Sequence, residues 1–155
     1  MPAWWGTRQN VSARLRLEVE GMRAVFGNTF KLNVPETGLL YWHGDIEINL
    51  TRLKERIHTV KIVYPADYPN QPAEAYVTHP RIYSRKHQYV DGQLCLFNPK
   101  DGESYGWNPA KSTAVTVAAW AVQWIYAYYT WRATGVWPGI EETVDPSQID
   151  PRLRR

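Results

Sequence analysis

Hydrophobic residues at Val11, Leu15, Val19, Met22 and Phe26 recur at intervals of 4, 4, 3 and 4. That spacing puts them on one face of a helix. Gly27-Asn28 stops it. The period then shortens to two: Phe30, Leu32 and Val34 alternate with polar residues as in a half-buried strand, and "PETG" makes the turn that follows. A second strand is expected through "LLYWHGDIEINL", where Ile46, Ile48 and Leu50 alternate with Glu47 and Asn49. "HTVKIVY" is the third, with Val60, Ile62 and Tyr64 on one side, and "EAYVTH" the fourth. Strands joined by short connections without a helix between them pair antiparallel as a meander.

From Ser112 to Trp131 the chain runs 20 residues without a charge, bounded by Lys111 and Arg132. The length is that of a membrane span, but Thr113, Thr116, Gln123, Thr130 and three tyrosines interrupt it. The segment reads as a buried core helix. The tail from Gly135, "GVWPGIEETVDPSQIDPRLRR", is rich in Pro and charge and is expected as an irregular arm. The whole is α+β: an N-terminal helix, a four-stranded antiparallel meander, a loop and a core helix.

A chain of 155 residues is expected to be a single domain, 1–155, with its core over about 12–131 and the arm over 132–155. Hydrophobic residues at 44% and charged residues at 21% mark a folded chain. Eight Trp and ten Tyr point towards a binding surface without locating it. The net charge of +3 is scattered along the chain, which does not support a nucleic-acid partner. "MPAWWGTRQN" lacks a charged stretch followed by an apolar one, so no signal peptide is expected, and a single cysteine suits a reducing cytosol. A cytoplasmic protein without a membrane partner is the expectation.

That cysteine, Cys95, sits in "HQYVDGQLCLFNPKDGESYGWNP", between a Gly-containing turn and a polar loop. Alone, it reads as a small buried hydrophobe. Its surroundings change the reading. The third strand runs into "YPADYPNQPAEAYV", a stiff extended connection set by its prolines. With "DGQLCLF" and "WNPAKSTAVTVAAW" following in register, the chain resembles the ubiquitin-conjugating enzyme family over about residues 12 to 131. The resemblance departs at the family's His-Pro-Asn triplet, whose Asn lies eight residues before the cysteine: here "HPR" begins at His79, sixteen residues before Cys95, and His87 is eight before it. A His at that place, and the tail "TGVWPGIEETVDP", are similar to the bacterial branch, some of whose members act in antiphage signalling operons beside a cyclic-nucleotide synthase or a ubiquitin-like protein.

The resemblance implies that Cys95 takes the C-terminal carboxyl of a modifier protein as a thioester and passes it to an amine, usually a lysine, of a target protein. The modifier is the C-terminus of a nucleotidyltransferase or a ubiquitin-like protein, and an activating enzyme is a further possible partner. No metal or small cofactor is required. Thiolate suits this relay as a strong nucleophile and a good leaving group. His87 is the candidate donor to the developing oxyanion, or the base for the amine. His79 reads as a structural residue before Pro80. His79, His87 and Cys95 stand at equal eight-residue intervals, yet lack a fourth ligand and a chelating spacing, so zinc is not expected. Asp101, Glu103 and Tyr105 read as solvated loop residues, Trp107 and Pro109 as loop anchors, and Tyr64 to Pro72 as structure. The rivals are a catalytically inactive binding module of the same fold and a structural subunit using its aromatic tail.

Overall fold

A computed structural model describes residues 3–96 and 106–138. Helix α1 spans Ala13–Phe26. It begins later than the periodicity suggests, because the Ser12 hydroxyl caps it by accepting from the Leu15 N–H at 3.1 Å. Val11 therefore lies outside the helix, in an isolated bridge with Gly6. The strands β1 (Phe30–Asn33), β2 (Tyr41–Glu47), β3 (Ile57–Val63) and β4 (Glu74–His79) form one antiparallel sheet in sequential order. This is the expected meander. The second strand ends earlier than its alternation implied. Ile48 is fully buried but has left the ladder, its N–H donating to Arg56 O at 2.8 Å across the approach to β3.

Trp42, Val60, Ile62 and Ala75 are buried on the inner face of the sheet, which α2 (Ala114–Thr134) covers near β3 and β4. The Thr113 hydroxyl and the Thr116 side chain close a reciprocal cap at the start of α2, so its first turn is stabilised within the chain. Ala114, Val117, Ala118, Ala121 and Ile125 run down the buried side. Their small side chains let the helix approach the sheet closely. Among the described residues no helix is long and apolar enough to cross a membrane.

One charge lies inside this core. Glu18 is 0% exposed, three residues after Leu15 and four before Met22 on the buried face of α1. Its Oε1 accepts from the Tyr64 hydroxyl at 2.9 Å and the Ala114 N–H at 2.8 Å. Its Oε2 accepts from the Tyr68 hydroxyl at 2.7 Å and pairs with the Arg14 guanidinium at 3.0 Å. Four donors offset the cost of removing a carboxylate from water, and the N-terminus of α2 adds a favourable dipole. Arg14 also donates to Pro109 O and Ser112 O, while Trp107 Nε1 donates to Pro69 O at 2.6 Å. The Tyr-Pro connection and Trp107-Pro109 thus have the structural roles expected of them. They clamp the entry of α2 onto α1.

Candidate active site

After β4 the chain passes through Ile82 and Ser84, both buried, and turns into a narrow hairpin. Gln88 and Leu94 bridge antiparallel, Tyr89 N–H donates to Gln93 O at 2.8 Å, and Cys95 N–H donates to His87 O at 2.9 Å. The tip is the turn Tyr89–Gly92, closed by Gly92 N–H to Tyr89 O at 3.0 Å. Gly92 has φ 97°, which an L side chain rarely adopts, so Asp91-Gly92 is the local reason for the reversal. Asp91 Oδ1 accepts from Gln93 N–H at 3.0 Å and stiffens it. The eight-residue separation of His87 and Cys95 is the span of this hairpin: the two residues face each other across its stem.

Three anchors hold the stem. Leu94 N–H donates to Ala75 O at 2.9 Å and ties the hairpin to β4. Gln88 is buried, its Oε1 accepting from Ser84 N–H at 2.7 Å and its amide donating to Ile82 O and Gly92 O, each at 3.1 Å. From the other side, Trp124 Nε1 of α2 donates to His87 O at 2.7 Å. The His87 imidazole, 2% exposed, packs on Trp137 with ring centroids 4.6 Å apart, and Trp137 meets Trp124 edge-on at 5.4 Å. The first part of the tail, expected as an irregular arm, therefore lacks helix but returns to the hairpin through Trp137.

His87 has φ 59°, in the left-handed region where Asn, Asp and His are the best tolerated residues after Gly. Backbone geometry at this place accepts a His or an Asn and disfavours most other side chains. Cys95 is half-buried. Residues on alternate positions of a hairpin share a face, which puts Tyr89 diagonally beside Cys95. Burial, with the nearby Cys95 side chain second and Asp91 adding to the shift, pushes the Tyr89 phenol up to about 12. Beyond Tyr89 a groove of about 570 Å³ opens between the hairpin and residues of β3 and β4, lined by Lys61, Tyr76, Arg81 and Tyr83 among others.

His79 is exposed at the end of β4, opposite Thr59. Asp101, Glu103 and Tyr105 fall outside the described residues. Gln88, Tyr89, Trp124 and Trp137 were not read from the sequence as parts of the site. Tyr89 carried a signal: in a hairpin turning at Asp91-Gly92 it has the same parity as His87 and Cys95. Among the described residues no cluster of three or more His, Cys, Asp or Glu side chains is arranged to hold a metal ion.

An N-terminal helix, an antiparallel four-stranded sheet and a long C-terminal helix form an α+β arrangement consistent with the fold of ubiquitin-conjugating-type proteins. A family model described as "Type II CBASS E2 protein" matches residues 18–144. The chain belongs to that family. Comparison with curated proteins yields no match.

Proposed function

We propose that this protein is an active conjugating enzyme of CBASS antiphage signalling, in which Cys95 carries the C-terminal carboxyl of a modifier protein as a thioester and transfers it to an amine of a target. The observation that carries the reading is the position of Cys95: a half-buried thiol on the stem of an anchored hairpin, in a chain of the conjugating family. A thiol in that position remains within reach of an acyl donor. The modifier is a nucleotidyltransferase C-terminus or a ubiquitin-like protein, delivered by an activating enzyme where one is used. His87 is the candidate donor or base in the transfer step, because the hairpin register sets it across from Cys95. The inactive binding module is the rival.

Loading the purified protein with candidate modifier tests this. The wild type is expected to give a thiol-sensitive adduct on non-reducing gels, Cys95→Ser a thiol-resistant ester or no product, and Cys95→Ala none. Conjugation by Cys95→Ala at the wild-type rate overturns the reading in favour of a binding module. For His87, single-turnover discharge of preloaded protein to lysine is expected to slow on the order of 10²-fold in His87→Ala. His87→Gly, which adopts the positive φ without strain, separates loss of the ring from backbone strain; His87→Asn should recover part of the rate.

A further inference from the structure

The exit of helix α2 turns the chain back towards the hairpin. Gly135 has φ 81°, in the left-handed region, and its N–H donates to Trp131 O at 2.7 Å. The Thr134 hydroxyl accepts from Val136 N–H at 3.2 Å and fixes the residue after it. The reversal leaves Val136 64% exposed and carries Trp137 inward, to 5%. There the indole lies 4.6 Å from the His87 imidazole, centroid to centroid, with the two planes at 51°. Trp124 meets the indole edge-on at 5.4 Å and Trp131 flanks it at 6.0 Å. Trp124 also donates to the His87 carbonyl at 2.7 Å. Helix α2 thus holds the backbone of His87, and the residue that follows its end packs on the ring.

We propose that Trp137 is a positioning residue: its indole confines the His87 imidazole to one orientation across the hairpin from Cys95, so that the ring enters the transfer step already aimed. The inference deepens the thioester reading, with His87 as donor or base, and rests on it. An unconfined histidine side chain samples about six combinations of its two torsions, three wells at χ1 and two at χ2. Only one of them presents a given ring nitrogen in a given direction. The left-handed backbone of His87, at φ 59°, sets where its Cβ points but leaves both side-chain torsions open. The indole packed on the ring supplies a restraint that the backbone does not. At 2% exposure the imidazole also has no solvent to turn into. A donor or base that is ordered before the amine attacks carries no ordering cost at that step. Trp137 acts through His87, and its effect should vanish when the imidazole is absent.

Carbon-13 relaxation of the imidazole C–H groups, in the full chain with labelled histidine, reads the order of the ring. The chain has four histidines, and the His87 signal is assigned by its loss in His87→Asn. Trp137→Leu keeps an apolar side chain where the indole stood. It is expected to lower the order of the His87 ring and to slow single-turnover discharge of preloaded protein to lysine by about five- to tenfold. The loss should fall on the limiting rate and not on the lysine concentration that gives half of it. Trp137→Phe should recover part of both. In the His87→Ala background Trp137→Leu should slow discharge no further. Gly135→Ala reaches the same ring independently, because a Cβ there meets nothing within 4 Å while L side chains rarely adopt φ 81°; it serves if Trp137→Leu does not fold. Unchanged ring order in the variant, or equal slowing with and without the imidazole, overturns the proposal. Ring order is measured without modifier, so a ring loosened by Trp137→Leu in a protein that never forms a thioester would instead overturn the conjugating function.

Discussion

Glu18 and Cys95 both have tyrosines beside them, and the two places differ in what their surroundings hold. At Glu18 two phenols, an amide and a guanidinium converge on a carboxylate with no exposed surface, so both oxygens are fully engaged. Burial, with the carboxylate second, pushes both the Tyr64 and Tyr68 phenols well up, which keeps them as donors at any ordinary pH. At Cys95 the thiol is half-buried on the stem of a hairpin, with Tyr89 nearby. The first arrangement spends every donor on holding three segments together: α1, the Tyr-Pro connection and the start of α2. The second holds its backbone by other residues and leaves the side chain half-buried. Whether a polar cluster is scaffold or site follows from whether any face of the central atom is still reachable.

The sharpest way to break the contrast is at Glu18. Glu18→Ala strands two buried hydroxyls, an amide and a charged guanidinium, and is expected to cost about 3–5 kcal/mol of stability. Urea denaturation checks it, and the folded fraction should alkylate at Cys95 as the wild type does. A loss of thiol reactivity in folded Glu18→Ala would show that the two regions are not separate.

Gln88 is the corresponding polar clip of the hairpin. Gln88→Ala leaves one buried amide and two carbonyls without the side chain that serves them, at an expected cost of about 1–3 kcal/mol. Here the damage should be local: hydrogen exchange at Leu94 and Cys95 should accelerate while the α2 amides stay protected, and thioester formation should fall. Uniform acceleration across the chain would mean that the hairpin does not open independently of the core.

The smallest expected effect is in pH. His58 is buried, with Nε2 2.6 Å from the Tyr129 hydroxyl and Nδ1 3.2 Å from Arg56 O, and burial lowers its pKa. The unfolded chain then binds the extra proton more readily than the folded one. Stability is therefore fully present above the unfolded value of about 6.5, and declines as pH falls from there through the lower folded value. Melting temperature measured across this range should drop, with His58→Gln less sensitive than the wild type; an equal slope in both would assign the titration elsewhere.

Much of the architecture was legible because it follows from local periodicity. The intervals of four and three in α1, the alternation in β1 to β4 and the chargeless run of α2 each reflect one element burying one face, and the Tyr-Pro, Cys-Leu and Trp-Asn-Pro stretches singled out Cys95 as the candidate. Burial of Glu18 was partly written there too, since its position falls on the apolar face between Leu15 and Met22, but the residue type argued for solvent. Only the packed structure supplies the donors that reverse this, and they come from Tyr64, Tyr68 and Ala114, far along the chain. The hairpin divides in the same way. Asp91-Gly92 announces a turn from sequence alone, whereas the pairing of His87 with Cys95, the left-handed backbone of His87 and the return of Trp137 depend on Ala75 and Trp124 fixing the stem. A turn is decided by the torsion angles its own residues allow, and a register by hydrogen-bond partners that exist only once the sheet and helix have closed around it.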